Sequence, residues 1–366
     1  MGDGGVASRT DVGTRNRMGV IESVRGVLWA RRRRPEDVAY IAALAHERFA
    51  PDELLEQAIE AERAGFDGLA CSDHLQPWWP DDGTIPAHSG NAWVWLGAAG
   101  HATSEISLGT GVTAVVHRYN PVVVAQQVAT LEWLFPGRAF LGVGSGEAMN
   151  EVPAGMEWPS PDEQLDRTEE ALTIITRLLD GETLDFTGRY FRTRGARLYT
   201  RPQRRPPVYM SAFGERAAEI AGRLADGVWT LADPRKVPPV IAAYRRAIED
   251  AGREPGEIIL QALASWAPTD DEALESSREW KATLVDEHYT ADVHDPAEIR
   301  RHGEDVPDAA YRASGIISAD PKTHVRRLKA IEGLGATAVV VMNTSGSDPL
   351  GMLRTYGREV LPELRG

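Results

Sequence analysis

Eight short apolar runs separated by amphipathic segments constrain this chain more than any other feature. The runs are Val38–Ala45, Phe66–Ser72, Ile106–Ala114, Ala139–Val143, Pro207–Ser211, Gly227–Leu231, Ile258–Trp266 and Ala336–Met342. Runs this short and this continuously apolar are what strands covered on both faces require. Between them lie helical patterns. Pro51-Asp52-Glu53 opens the first, Leu54, Leu55, Ala58, Ile59 and Ala61 give it an apolar face, and Gly65 ends it. Further helices are expected at Val122–Leu134, Pro161–Leu179, Glu215–Ala225, Val237–Ala251, Asp271–Glu287 and Pro349–Glu363. Strand–helix alternation implies parallel strands joined by helical crossovers, and at this count a closed (β/α)8 TIM barrel is favoured over an open doubly wound sheet. The expected division is a flexible leader over residues 1–35 and one barrel domain over residues 36–366, with a possible short helix at Ile21 to Ala30.

Composition narrows the function classes. A net charge of −14 argues against nucleic acid as a general partner, because phosphate backbones need a basic face. The run Arg31–Arg34 is followed by Pro35-Glu36-Asp37, not by the apolar core of an export signal, and reads as a solvated basic segment. No stretch is long and apolar enough for a membrane span. Cys71 is the only cysteine, so no intrachain disulfide can form, which fits a cytoplasmic protein.

Polar residues gather where the apolar runs end. The second run leads into Cys71-Ser72-Asp73-His74-Leu75-Gln76-Pro77-Trp78, and the fourth into Gly142-Val143-Gly144-Ser145-Gly146-Glu147-Ala148-Met149-Asn150. Glu47 follows the first run. In a barrel those three ends share one mouth, so Glu47, His74 and Glu147 are expected to converge, a grouping suited to proton transfer. Asp73 can orient the imidazole or meet a cofactor edge, or simply cap a helix. Trp78 and Trp79 offer flat surfaces for a ring or sugar face, or pack the rim. Gly146 lies in tight backbone that lacks the third glycine of a dinucleotide turn. A metal site at His46, Glu47, Asp73 and His74 is disfavoured, since no third histidine stands at a late strand end. No metal is expected. Gly-x-Ser-x-Gly does not occur between a strand and a helix, which argues against a serine hydrolase. Three longer segments, Gln76 to Asn91, Gly181 to Arg205 and His288 to Ser314, interrupt the alternation and are expected to cover the site or the barrel's outside. Gly188-Arg189-Tyr190-Phe191 with Tyr199 suggests a small hairpin.

Taken in order, these segments resemble the coenzyme F420-dependent glucose-6-phosphate dehydrogenase and hydroxymycolic acid dehydrogenase group of luciferase-like barrel enzymes. The matching motifs are Glu47-Arg48-Phe49-Ala50-Pro51, Ser72 to Trp78, Leu108-Gly109-Thr110-Gly111-Val112-Thr113, Arg118-Tyr119-Asn120-Pro121, Phe140 to Glu151 and Ala225-Asp226-Gly227. The resemblance implies a deazaflavin, coenzyme F420, in the barrel mouth. Asp73 would contact its ring, with Trp78 and Thr113 nearby and Gly111-Val112 backing it as a cis, non-prolyl peptide. Gly146, Glu147 and Asn150 would lie beside the ring, and Ser211, Ala212, Phe213 and Gly214 would offer backbone N–H groups to its phosphate. His74, Glu47 and Glu147 are then the implied catalytic residues, with His74 or Glu47 taking the alcohol proton. The positions that clamp the sugar phosphate in the group with two lysines and an arginine correspond to Pro234, Thr290 and Ser314, with Arg235, Lys236 and Arg312 beside them. Without those cations a dianionic phosphate is costly to desolvate, so the expected substrate is a neutral alcohol or sugar, not glucose 6-phosphate. Trp78, Trp79, Trp93 and Trp229 could line its pocket or fill the core. The resemblance also implies a homodimer. The alternatives are an F420- or FMN-dependent reductase or monooxygenase acting on a hydrophobic compound, and a catalytically silent barrel that only binds cofactor or a partner.

Overall fold

A computed structural model of the chain describes Trp29 and residues 37–366. Eight parallel strands close on one another: β1 (Ala39–Leu44), β2 (Gly68–Cys71), β3 (Ser107–Ala114), β4 (Ala139–Gly144), β5 (Val208–Ser211), β6 (Gly227–Leu231), β7 (Glu257–Ser265) and β8 (Ala338–Asn343). Neighbours pair in chain order, β7 pairs β8, and β8 returns to β1 with Ala39 opposite Ala338, so the sheet has no open edge. This is the (β/α)8 barrel the alternation implied.

The barrel interior is filled by Ile41, Phe140, Tyr209, Trp229, Ile259 and Val340. β3 makes room for these large rings: a Cβ on Gly111 would stand 2.7 Å from the Trp229 ring. Trp229 is therefore core, and its indole N–H donates to Gln261 at 3.0 Å. Trp29, which falls within the expected leader, is 2% exposed among the same side chains. It stacks on Tyr209 at 6.0 Å and meets Phe140 edge-on at 5.5 Å. The remainder of residues 1–35, including Arg31–Arg34 and the expected helix at Ile21 to Ala30, lies outside the described residues.

Outside the barrel, α1 (Pro51–Ala64) buries Leu54, Ala58 and Ala61 and ends at Gly65, whose φ of 93° is the left-handed cap that glycine reaches without a Cβ clash. α2 (Ala92–Ala102), a helix not among those expected from the sequence, is capped by Asn91. α3 (Pro121–Leu134) is capped by Asn120. The hairpin is Leu184–Thr187 with Arg192–Ala196, and Gly188 to Phe191 form its turn. The Glu170 carboxylate fastens that turn to helix Pro161–Leu179 by accepting from the Arg189, Tyr190 and Phe191 N–H groups.

Two expectations need correction. The single helix Asp271–Glu287 is instead three pieces: Asp270–Glu275, a 3-10 turn Arg278–Leu284 and Glu287–Thr290. The ring of Trp280 is fully buried, so the chain bends to seat it edge-on against Trp79 at 5.1 Å. His288 to Ser314, expected as a long loop covering the site or the barrel's outside, contains helices Pro296–Glu304 and Asp308–Ser314, and a further helix, Pro321–Glu332, follows. Asp295 and Asp320 cap the first and last of them ahead of a proline. An Asp-Pro start is legible in sequence.

Candidate active site

The C-terminal ends of β1, β2 and β4 bring Glu47, His74 and Glu147 together. His74 Nδ1 lies 2.8 Å from Glu47 Oε1, and Nε2 lies 3.2 Å from Glu147 Oε2. Glu47 is sealed, its side chain 1% exposed, whereas His74 and Glu147 keep 16% and 17%. The array therefore has a closed end and an open one. Burial by itself would lower the His74 pKa, but the facing Glu147 and Glu47 outweigh it and hold it at about 10, so the ring is an imidazolium near neutrality. Burial likewise opposes charge on Glu47, and the facing imidazole reverses that, holding its carboxyl below the ordinary range. His46, next in chain but pointing into the core against Trp95, is kept neutral by burial, its pKa down to about 4. Glu47 and His74 thus meet in the array, and His46 does not. Among the described residues no group of acids, histidines or cysteines could hold a metal ion.

A second network holds the ends of β2 and β4 in register. Asn150 donates to Glu147 Oε2 at 3.0 Å and accepts from the Leu75 N–H at 2.7 Å, so the open carboxylate and the loop after His74 move as one piece. Asp73 is 2% exposed. The Thr113 hydroxyl donates to its Oδ2 at 2.8 Å and the Tyr119 hydroxyl to its Oδ1 at 3.1 Å. Arg118 also donates to the Asp73 carbonyl and reaches Glu151 at 3.3 Å, linking the two strand ends through one guanidinium. In the sequence the Arg118–Tyr119 pair stands out only within the Arg118–Pro121 motif. Its positioning role could have been read from a lone Arg-Tyr at a strand end opposite two acids.

The Gly111–Val112 peptide is cis, and the β3–β4 register shifts between Thr110 and Thr113. The Val112 side chain fills the notch left by two glycines of β4: a Cβ on Gly142 or Gly144 would stand 2.9 or 2.6 Å from it. Gly146 turns the chain with φ of 83° just before Glu147. Across the mouth, Ser211 ends β5, and Gly214 caps helix Glu215–Leu224 with nothing within 4 Å of where its Cβ would stand. Ala212 departs from the expected group of phosphate donors, because its N–H is already bonded to the Trp229 carbonyl at 2.9 Å.

Aromatic rings arch over the array. Trp78 leans on His74 at 5.9 Å and on Tyr289 at 5.9 Å, and Tyr289 meets Phe213 edge-on at 5.4 Å. The Tyr289 hydroxyl donates to the Thr283 carbonyl at 2.9 Å. Trp79 does not join this arch: it is fully buried and donates to the Pro86 carbonyl. The three neighbouring cations considered for a phosphate are all paired. Arg235 meets Asp233 at 3.0 Å, Lys236 meets Asp286 at 3.1 Å, and Arg312 meets Asp271 at 3.0 Å.

A closed parallel barrel with an acid–imidazole array at its C-terminal mouth is the arrangement of a (β/α)8-barrel enzyme. The chain belongs to the luciferase-like monooxygenase family, whose model matches residues 25–338. Within it, the chain is 39% identical to an F420-dependent glucose-6-phosphate dehydrogenase of Microbacterium testaceum, over 87% of this chain and 95% of that one. It is 38% identical to the F420-dependent hydroxymycolic acid dehydrogenase of Mycobacterium tuberculosis, over 88% of this chain and 87% of that one. Among solved structures, an F420-dependent secondary alcohol dehydrogenase in complex with an F420-acetone adduct superposes with a TM-score of 0.85 at 33% identity, covering 90% of this chain and all 100% of that one. Monooxygenases at 16–18% identity share the fold. No helix among the described residues is long and apolar enough to cross a membrane.

Proposed function

We propose that this protein is an F420-dependent dehydrogenase that takes hydride from the carbinol carbon of a neutral alcohol or sugar. The observation that carries the reading is the His74 ring held between two carboxylates, at 2.8 and 3.2 Å, on the mouth of a barrel whose relatives are F420-dependent dehydrogenases. The residues present fit a flat anionic cofactor. The Val112 bulge would back a planar ring, with Asn150, Gly146 and Asp73 at the neighbouring strand ends. Ser211, Phe213 and Gly214 stand at the open start of a ten-residue helix, where backbone N–H groups attract phosphate. When bound, a deazaflavin supplies a two-electron hydride acceptor that, with carbon in place of N5, reacts poorly with oxygen.

The chain's own residues then handle the proton. As hydride leaves the carbinol carbon the hydroxyl proton must leave too, or a protonated carbonyl is left behind; where the proton leaves ahead of hydride, the oxygen carries alkoxide charge. His74, already charged, serves best as the donor that stabilises the developing oxyanion, through the Nε2–H that it shares with the open Glu147. Glu47 holds the ring from its sealed side and compensates its charge. Glu147, the open carboxylate steadied by Asn150, is the group able to take up and return a proton. Dispersing one proton over three linked groups lets the site accept it without an isolated buried charge.

Substrate charge follows from the paired cations. A sugar phosphate would have to break the Arg235–Asp233, Lys236–Asp286 or Arg312–Asp271 pair before being neutralised, so a neutral substrate under the aromatic arch is favoured over glucose 6-phosphate. A homodimer is supported by α2 and α3. Their outward faces show Val94, Val123, Trp133 and Leu134, exposed by 76, 44, 55 and 58%, and carry no Asp, Glu, Lys or Arg. Apolar faces of that extent suit a second copy better than water. The one cysteine, a buried thiol, suits a reducing cytoplasm.

Titrating purified protein with F420 and with FMN, followed by fluorescence quenching, tests the cofactor directly. A panel of alcohols, sugars and glucose 6-phosphate, followed by loss of oxidised F420 absorbance, tests the reaction. Preference for FMN, or for the phosphate over the neutral compounds, would overturn the corresponding half.

A further inference from the structure

A second imidazole, besides His74, meets Trp78. His288 is 1% exposed and lies on the short helix Glu287–Thr290, with its ring 6.0 Å from that of Trp78. Its Nδ1 is 2.9 Å from the Ala282 carbonyl, and its Nε2 is 3.0 Å from Nδ1 of His302, on helix Pro296–Glu304. A carbonyl can only accept, so His288 Nδ1 must carry a hydrogen. In the neutral pair, His288 Nε2 is therefore the acceptor and His302 Nδ1 the donor. The two tautomers are fixed by one backbone oxygen. Outside, His302 Nε2 turns toward Glu298, 3.9 Å away, with its side chain 37% exposed.

This geometry admits one added proton and resists a second. The pair's one free ring lone pair, the place open to the first, is the outer Nε2 of His302, beside Glu298 and in reach of water. A second would have to go to His288 Nε2, where it would set two N–H groups head to head across 3.0 Å. The charged groups facing His288 are Glu147 across the mouth and Glu287 on its own helix, and burial outweighs both, holding its pKa below the ordinary value.

We propose that His288 and His302 are positioning residues: a hydrogen-bonded latch that ties helix Pro296–Glu304 to the roof and keeps Trp78 against His74, and that releases when the pair takes a second proton. The roof's other ties do not involve an imidazole pair. Gln76 donates to the His294 carbonyl, Arg300 pairs with Asp82, and the Trp158 indole donates to the Thr290 carbonyl. Release is therefore a loosening of the Trp78 wall, not an unfolding.

Two substitutions separate this from a packing role. Asparagine places an amide N–H where His302 Nδ1–H stands and, by turning its amide, offers a carbonyl oxygen to a protonated His288, so His302→Asn keeps the latch at neutral pH and in acid. His302→Ala removes it at both. In the intact protein without added cofactor, nitrogen-15 histidine spectra near neutral pH should show His288 with hydrogen on Nδ1 alone. The near-ultraviolet aromatic circular dichroism of the wild type should change on acidification to about pH 5. That change should be absent in His302→Asn, and His302→Ala should show the acid-form signal already near neutrality. With F420 and an alcohol substrate, His302→Ala should raise KM roughly tenfold with kcat little changed, and His302→Asn should restore it. The latch is overturned if His288 carries hydrogen on Nε2 alone, if His302→Ala matches the wild type throughout, or if His302→Asn retains the acid transition. The spectra decide this whatever cofactor the enzyme uses, and the Asn comparison remains decisive should the Ala variant not fold.

Discussion

The two halves of the barrel mouth are built by different physics. The half formed by the ends of β1, β2 and β4 is held by charge: Glu47, His74 and Glu147 in one array, and Asp73, Arg118 and Glu151 in another. The other half is held by ring contacts that join the loop after β2 to the segments after β5 and β7: Trp78 on Tyr289, Tyr289 on Phe213 and Trp280 on Trp79. Charged arrays demand fixed partners within about 3 Å and tolerate no substitution, whereas aromatic contacts accept many rings at many angles. The first half is therefore suited to one chemistry and the second to a choice of substrates.

That division is sharpened most by breaking the first half. His74→Ala should lower kcat by about a thousandfold or more, because it removes the oxyanion donor and leaves Glu47 as a buried, unpaired carboxylate. Glu147→Gln should cost about a hundredfold through loss of proton uptake. F420 binding, read by fluorescence quenching, should survive in both. Rates within a few-fold of wild type would show that the charged half is scaffolding.

The pH dependence follows from the same array. The folded-state His74 pKa of about 10 lies above the ordinary histidine value of 6.5, so the stability this group contributes is fully present below pH 6.5 and is lost as pH rises through 10. Turnover that depends on the imidazolium should share the alkaline limb. Glu47→Gln removes one of the two raising charges and should move that limb toward neutrality. An unmoved limb would mean that the titrating group lies elsewhere.

In the second half the expected effects are smaller and fall on binding. Tyr289→Ala opens the arch between Trp78 and Phe213 and should raise KM for an apolar alcohol by roughly tenfold while leaving kcat within a few-fold. A kcat loss as large as that of His74→Ala would erase the distinction between the two halves.

The sequence made the charged half legible because its residues sit next to strand ends, and strand ends are where apolar runs stop. Glu47, His74 and Glu147 needed only barrel closure to meet. The roof was not legible in the same way. His288, Tyr289 and Thr283 lie in a stretch with no single period, and the helix expected across Asp271–Glu287 breaks where Trp280 turns inward to Trp79. Ring-on-ring contacts leave no spacing rule behind them, and the His288–His302 bond joins two helices whose order in the chain says nothing of their angle. Trp29 is a similar case. One indole in a polar leader carries no pattern, yet it packs among Tyr209, Phe140 and Ile41 inside the barrel. Its truncation to alanine should cost about 3–5 kcal/mol of stability by the usual large-to-small penalty, read as a lower melting temperature.

The smallest effect expected is also informative about the second half. Arg235 is the cation nearest in sequence to the position where a phosphate-clamping lysine would stand, and its side chain is 88% exposed while paired with Asp233. An exposed pair of this kind contributes little to stability, since water and salt screen it. If the roof recognises neutral substrates through rings, Arg235→Ala should change KM for an alcohol and for glucose 6-phosphate alike by less than about twofold, the range of ordinary surface substitutions. A selective rise in KM for the phosphate would show that Arg235 leaves Asp233 to bind it. The ion pairs at the rim would then be a resting state of a phosphate clamp, and the aromatic half would have to be redrawn as a charged one.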